Sequence, residues 1–411
     1  MVCDTPQTVV VAGGSLAGHT VVTELDRRGF TGEVVWVTGA EGVAPYSKPA
    51  LSKEYMQEKV TLDTICLPPV PTDSIRLRRV DRAVCERLDP DADRVLVDGE
   101  WIPFDALFVC TGMRPRVPAE FAGLPGVHPL RTLADARAVR DRLAGRPRTV
   151  VIGAGLIGCE TAASLRSLGL PVELVVQTGL PLEPLLGEEL GRFCLDQHHT
   201  RGVTTRLSAT VTALTPDGPG GAVTVDLDDG TSTTGDLVIL GLGAVPALDW
   251  LQGAGLDLTD GLVCDAGLRT ARGNVYAAGD IANWPHPLFG RRLRVEHWSN
   301  ASAQARHAVG TWAADQEGGP HREFADIPYF WSDQYGLKYQ MLGHARGHDE
   351  VRVDTAGPGG HPFVTYHREG RLVAAAGVNA TRAVMGMRTA IQTGAGPGPL
   401  PAGTAPRRET V

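Results

Sequence analysis

Thr149-Val150-Val151-Ile152-Gly153-Ala154-Gly155-Leu156-Ile157-Gly158 is an apolar strand-like run that breaks into a glycine turn and resumes as a helix. A second copy of the pattern stands near the N-terminus, Val9-Val10-Val11 followed by Gly13-Gly14-Ser15-Leu16-Ala17-Gly18. In such a strand–turn–helix the glycines allow a tight turn. They also let backbone amides and the helix N-terminus approach a pyrophosphate. Ser15 stands where the middle glycine of the first loop belongs, and its small side chain carries a hydroxyl that can donate to phosphate. One such loop is a weak signal. Two of them point to an α/β fold holding two dinucleotides face to face, and so to electron transfer between a nicotinamide and a flavin.

Working outward, residues 33–37 read as the next strand of the first unit. Glu41 lies just beyond, where an acidic group can take a ribose hydroxyl. The two prolines in residues 44–53 predict an extended loop there, not a helix. Residues 106–112 read as a strand running into a turn, and Arg114-Pro115-Arg116 as a domain exit. Residues 134–143 have helical spacing. The second strand–helix–strand unit runs from Thr149 through Val175-Val176, and residues 237–243 close that inserted domain. Residues 274–280 form a short strand ending in Gly279-Asp280, which fits a carboxylate binding a ribityl hydroxyl. Residues 300–312 read as a helix, and from Ile327 the pattern turns strand-like, as in a smaller α+β domain. The division that follows is 1–115 and 248–322 for one nucleotide domain, 116–247 for the other, 323–393 for the α+β domain, and a disordered tail at 394–411.

Composition narrows the function. A net charge of −8 gives no global basic field to attract nucleic acid. No apolar run is long enough to span a bilayer and no signal peptide precedes the first strand, so a cytoplasmic protein is expected. The seven cysteines are scattered without a Cys-x-x-Cys pair, and no spacing predicts a metal site or a redox disulfide. Lysine is scarce, with Lys48, Lys53, Lys59 and Lys338 as the only four, so two of them between 48 and 53 stand out. By itself Lys53 reads as a solvated lysine, Glu160 as a carboxylate favoured by the helix dipole, and His198-His199 as a surface pair. Arg291, Arg292 and Arg294 read equally as a solvated loop or a docking patch.

The matching segments resemble the FAD-dependent ferredoxin reductases of oxygenase systems across about residues 8–392. They are Pro45-Tyr46 through Leu51-Ser52-Lys53, Thr111-Gly112, Leu130-Arg131-Thr132-Leu133, the second glycine loop with Glu160, Gly279-Asp280, Glu296-His297-Trp298, and Phe330-Trp331-Ser332-Asp333-Gln334-Tyr335. The resemblance implies a glutathione-reductase-like fold, with two dinucleotide-binding domains and a C-terminal α+β domain. It places Gly13, Ser15, Ala17, Gly18, Glu41, Lys48, Lys53, Val84, Thr111, Gly112, Arg131, Gly279, Asp280 and Trp298 around FAD. It places Gly153, Gly155, Ile157, Gly158, Glu160, Gln177, Gly241 and Gly243 around NAD(P)H. Lys53 and Glu160 look like the pair beside the flavin N5 face, and Trp331 like the tryptophan near the isoalloxazine.

The chain departs from the family at Ala40, which leaves Glu41 as the acid, at Lys48 in place of Arg, and at Gln177, where relatives carry Asp or Glu for the adenosine ribose. The implied activity passes electrons from NADH or NADPH through FAD to a small, acidic iron–sulfur ferredoxin that serves an oxygenase. The enzyme is expected as a monomer or weak homodimer. Gln177 motivates a second reading, a stand-alone flavin oxidoreductase acting on a small organic substrate. A non-catalytic FAD-bound interaction protein is a third.

Overall fold

Runs of valine, isoleucine and leucine with no polar interruption suit strands buried on both faces, and these runs become the centres of two parallel sheets. The computed structural model describes residues 7–394 except residue 219. The tail expected beyond Gly394 falls outside the described residues. The chain forms two compact units and passes between them five times: Met1–Ser47, Leu62–Arg114 and Val245–Pro328 make the first, while Lys48–Thr61, Pro115–Ala244 and Tyr329–Val411 make the second.

In the first unit, five parallel strands lie in the order Val275–Ala277, Ala106–Val109, Thr8–Ala12, Glu33–Val37, Arg76–Val80. Thr8–Ala12 sits at the centre, and Val9, Val10 and Val11 are fully buried. The helices Leu16–Arg27 and Trp298–Glu317 pack against each other, and Trp298–Glu317 also covers the Val275–Ala277 strand. Phe108 stacks on Tyr276 at 5.2 Å, tying adjacent strands. Two three-stranded sheets complete the unit, Cys85–Asp89 with Arg94–Val97 and Glu100–Pro103, and Leu262–Val263 with Ala282–His286 and Arg291–Arg294.

The second unit repeats the plan. Its parallel sheet runs Thr204–Leu207, Val172–Val176, Thr149–Ile152, Leu237–Leu240, Val127–Pro129, with helix Leu156–Ser167 packed on its central strands. The C-terminal part is a five-stranded antiparallel sheet in the order Tyr329–Gln334, Leu337–Gly343, Arg371–Val378, Phe363–Arg368, Glu350–Asp354. Its first hairpin turns through Tyr335 at φ 56° and Gly336 at φ 77°, the positive pair that a two-residue hairpin loop favours. Two parallel dinucleotide-type sheets and an antiparallel C-terminal sheet are the architecture the sequence predicts.

Two local expectations fail. Residues 44–53 are not extended throughout: Lys48–Ala50 is a 3₁₀ turn, and backbone bonds Lys53 N–H to Ala50 and Gln57 N–H to Lys53 wind the chain onward. Pro49 is compatible because the first turn of a helix needs no donor from it. His198 is fully buried and not on the surface, whereas His199 is exposed. Helix Glu183–Thr200 turns Leu190, Cys194 and His198 inward at four-residue spacing, which leaves His199 outside.

Candidate functional site

In the first unit the glycine loop is fixed by backbone contacts. A Cβ on Gly13, at φ +131°, would meet the Cys110 carbonyl at 2.2 Å. Cβ atoms on Gly14 and Gly18 would lie 1.9 Å from the carbonyl oxygens of Thr38 and Gly13. The Trp36 indole donates to the Gly13 carbonyl at 2.9 Å and braces the turn, a role the sequence did not reveal. Ser15 is the N-cap of Leu16–Arg27 but makes no side-chain cap bond, and no acid stands in the first turn. The amides at this helix start are therefore not neutralised by a side chain.

Gly279 at φ +83° approaches the same helix, where its Cβ would sit 3.2 Å from that of Ala17. Its amide donates to Gln304 Oε1 at 2.9 Å. Asp280 follows it, with its carbonyl accepting from Arg294 at 3.1 Å. Behind it, on Trp298–Glu317, the amide nitrogens of Asn300 and Gln304 are buried with no acceptor among the described residues. An uncapped helix start after a glycine turn, with two buried donors left without acceptors, fits a bound dinucleotide. Glu41 accepts from the Tyr46 hydroxyl at 2.7 Å, Thr111 donates to the Ala247 carbonyl at 2.9 Å, Gly112 turns at φ 65°, and Val84 is half exposed.

In the second unit the glycines divide into two kinds. A Cβ on Gly153, at φ +102°, would meet the Gly241 carbonyl at 2.3 Å, and one on Gly158 the Gly153 carbonyl at 1.9 Å, so the fold itself demands both. A Cβ on Gly155 would meet nothing within 4 Å. Gly155 is the N-cap of Leu156–Ser167, without a side-chain cap bond, at an ordinary φ of −76°, so a side chain there would meet open space. Gly243, at φ +84°, likewise borders open space. Ile157 is 39% exposed, and Gln177, one residue past Val172–Val176, is exposed.

The same unit holds a buried charged knot. Lys53 is 6% exposed and Glu160 3%, against the solvated reading of either alone. Lys53 Nζ lies 3.2 Å from Glu160 Oε1 and 3.5 Å from Asp333 Oδ2. Ser52 donates to Glu160 Oε2 at 2.6 Å and Ser332 to Oε1 at 2.8 Å. Burial pushes the Glu160 carboxyl above its ordinary range, with Lys53 and the two hydroxyls opposing that rise. Lys53 and Lys338 both lie over the Trp331 ring, 5.8 and 5.6 Å from its centroid, and Asp333 pairs with each lysine.

The knot's placement follows from local structure. The strand Tyr329–Gln334 alternates, sending Ser332 and Gln334 to its buried face and Trp331 and Asp333 to the other. The Lys48–Thr61 segment is anchored by Ser164, which donates to the Ser52 carbonyl at 2.7 Å and accepts from Gln57 at 3.0 Å. Lys48 lies on the 3₁₀ turn that begins this segment. Arg131 precedes the capping box of Leu133–Leu143, and its backbone amide donates to Asp135 at 3.0 Å. Sequence reasoning missed Ser52, Ser332 and Asp333 as partners. The period-two alternation through 329–334 was the signal that could have found the last two.

Two of the three arginines read as a solvated loop or a docking patch also bond within the chain. Arg292 donates to Asn283 Oδ1 at 3.0 Å and to the Cys264 carbonyl. Arg294 pairs with Asp260 at 2.8 Å and Glu296 at 2.7 Å. The edge strand Arg291–Arg294 turns these guanidinium groups onto its own neighbours.

Comparison with known proteins agrees with this geometry. Residues 7–305 match the family model described as pyridine nucleotide-disulphide oxidoreductase, and residues 329–402 the model described as reductase C-terminal. The chain is 34% identical over 403 residues to the anthranilate 1,2-dioxygenase system ferredoxin–NAD(+) reductase component of Burkholderia cepacia, covering 95% of each. It is 34% identical over 389 residues to rhodocoxin reductase of Rhodococcus erythropolis, covering 94% of this chain and 90% of that one. Among solved structures, the reductase in the covalent putidaredoxin reductase–putidaredoxin complex superposes with a TM-score of 0.85 at 29% identity, covering 95% of this chain and 94% of that one.

Proposed function

The chain belongs to the pyridine nucleotide-disulphide oxidoreductase family, and from that premise we propose that it is a flavin-dependent NAD(P)H:ferredoxin reductase that delivers electrons to a small iron–sulfur protein serving an oxygenase. The observation that carries the reading is the pair of glycine loops, each opening a helix at the end of a central parallel strand. The relatives' names, a ferredoxin–NAD(+) reductase component and a rhodocoxin reductase, support the same activity.

FAD, when bound, accepts two electrons at once and releases them singly, which is the chemistry that joins a nicotinamide to an iron–sulfur centre. The rest falls to the chain. The start of Leu16–Arg27 and the Ser15 hydroxyl would hold the flavin nucleotide's pyrophosphate, and Asp280 would take a hydroxyl of its ribityl chain. The start of Leu156–Ser167 and Gly155 would hold the nicotinamide nucleotide. Lys53 would supply a fixed positive charge toward a reduced flavin, and Glu160 holds its ammonium group in place. Trp331, held under two lysines, completes the aromatic lining.

The enzyme works as a monomer or weak homodimer in the cytoplasm; among the described residues no helix is long and apolar enough to cross a membrane. Gln177 favours one other reading, a stand-alone oxidoreductase whose flavin is reduced by an organic substrate.

Anaerobic stopped-flow mixing with NADH and with NADPH tests the proposal. Rapid bleaching of the flavin by a nicotinamide, followed by reoxidation on adding a ferredoxin, is expected. Bleaching by neither nucleotide would refute it, and bleaching by an organic substrate alone would establish the second reading.

A further inference from the structure

Beneath Glu160 the second unit buries a group that the electron-transfer reading does not use. Cys159, Cys194 and His198 each present a ligand atom, and these atoms lie within 4.8 Å of one another. All three residues are fully buried. Cys194 and His198 sit four apart on one face of Glu183–Thr200, the spacing at which two side chains of a helix can share one ion. Cys159 comes from Leu156–Ser167, immediately before Glu160.

The polar contacts around the cluster are incomplete. Cys159 donates to the Ala154 carbonyl at 3.3 Å and Cys194 to Gln334 Oε1 at 3.4 Å. His198 Nδ1 bonds the Tyr335 hydroxyl at 2.8 Å, which fixes the ring, and its Nε2 is buried with no partner. The Tyr339 hydroxyl is buried beside Cys194 and also holds no well-formed hydrogen bond. The buried His198 Nε2 thus stands beside two buried thiols, with the Tyr339 hydroxyl next to Cys194.

We propose that Cys159, Cys194 and His198 Nε2 form a binding site for a thiophilic divalent cation, Zn²⁺, with the Tyr339 hydroxyl at the fourth position. Two sulfurs at about 2.3 Å from zinc in tetrahedral geometry stand about 3.8 Å apart, so the cluster needs to contract by no more than about 1 Å. The charge balance favours this ion. Zn²⁺ plus two thiols plus a neutral imidazole gives an uncharged complex and two protons, which leave to solvent as the site loads. An uncharged centre avoids the large cost of burying net charge, whereas a monovalent ion on two thiolates would leave −1 behind. In the tautomer that frees Nε2, His198 Nδ1–H donates to Tyr335, the second contact that metal-binding histidines require. Glu160 does not compete, because both its oxygens face Ser52, Lys53 and Ser332.

Because the cluster is enclosed, the metal enters during folding, and the test begins there. The full FAD-loaded protein is expressed with added zinc, purified anaerobically, and assayed for zinc per flavin; a parallel preparation is made with Co²⁺. One zinc per chain is expected. The Co²⁺ form should show intense tetrahedral d–d bands in the red, where oxidised flavin is transparent. Cys194→Ala and His198→Ala should lose at least tenfold in retained metal while keeping FAD, and Cys264→Ala, a buried thiol of the first unit, should retain it. Metal-free wild-type protein, a weak six-coordinate Co²⁺ spectrum, equal retention in Cys194→Ala and His198→Ala, or a Cys159–Cys194 disulfide in the isolated protein would each overturn the proposal. The wild-type cobalt spectrum reports thiolate ligation directly, so a misfolded variant does not remove the test.

Discussion

Lys53→Met keeps the length of the side chain and removes its charge, and the geometry of the knot sets what that costs. Glu160 is held on one oxygen by Lys53 at 3.2 Å and Ser332 at 2.8 Å, and on the other by Ser52 at 2.6 Å. Removing one member of a buried ion pair typically costs 3–5 kcal/mol, roughly, because a charge is left without its counterpart. The two hydroxyls remain, so about 3 kcal/mol is expected for Lys53→Met. Glu160→Gln is different in kind. It leaves no buried anion, and Lys53 keeps Asp333, a third exposed, at 3.5 Å. About 1–2 kcal/mol is expected for that change. The double variant should be more stable than Lys53→Met alone, because the orphaned carboxylate is gone.

Urea unfolding of the four FAD-loaded proteins measures these differences, and stopped-flow reduction by NADH measures the accompanying loss of hydride transfer. If Glu160→Gln costs as much as Lys53→Met, or if the two losses simply add, then the knot is not an electrostatic unit and the reasoning fails. Unchanged reduction kinetics in Lys53→Met would remove Lys53 from the reaction.

Other expectations follow from single positions. Gly155→Ala should leave thermal stability within about 0.5 kcal/mol while raising the KM for NADH about tenfold, whereas Gly158→Ala, whose Cβ would meet the Gly153 carbonyl at 1.9 Å, should cost about 3 kcal/mol; melting curves and steady-state kinetics separate the two. Gln177→Glu should shift preference toward NADH over NADPH by roughly 1–3 kcal/mol, read from the ratio of kcat/KM values, because a carboxylate accepts from both ribose hydroxyls. Glu173 is buried, which raises its pKa, but hydrogen bonds from Arg206 and Thr233 outweigh that and hold it below the ordinary carboxylate value. Its stabilisation is therefore present above the unfolded value of about 4.3 and is lost as pH falls through the lower folded one. Glu173→Gln should flatten the acid limb of the stability–pH curve in that window, and an unaltered limb would show that Glu173 does not set it.

The two parallel sheets were legible because a fully buried strand has little choice of residues. Val9 to Val11 and Val150 to Ile152 are buried, and Gly13, Gly14, Gly18, Gly153 and Gly158 after them are forced by carbonyl contacts of 1.9–2.3 Å. The short-range pattern also carried helix Leu133–Leu143, whose Thr132 and Asp135 cap each other. What could not be read was partnership at long range. Glu160 looks like any carboxylate at a helix start until Ser52 and Ser332 arrive from distant segments. Arg294 looks basic and exposed until Asp260 and Glu296 engage it. Cys159 and Cys194 carry no spacing signal, because the fold, and not the sequence interval, brings them together. Hydrophobic period reports burial on one element at a time; it is silent on which buried polar groups will meet.

The repeated passage of the chain between its two units has a consequence for how the protein is made. Ser332 reaches Glu160 across 172 residues. A ribosome adding about 5–20 residues per second needs roughly 10–30 s to bring the one out after the other. During that interval the nascent second unit holds a carboxylate destined for the interior and a parallel sheet without its C-terminal companion. Neither unit can be finished before the other has been largely translated, since residues 245–328 of the first are synthesised inside the gap left in the second. Cutting the gene at any single point therefore strands one unit incomplete. Exchanging either unit with a relative would take several simultaneous junctions, so interleaved synthesis binds the two nucleotide sites to a common inheritance.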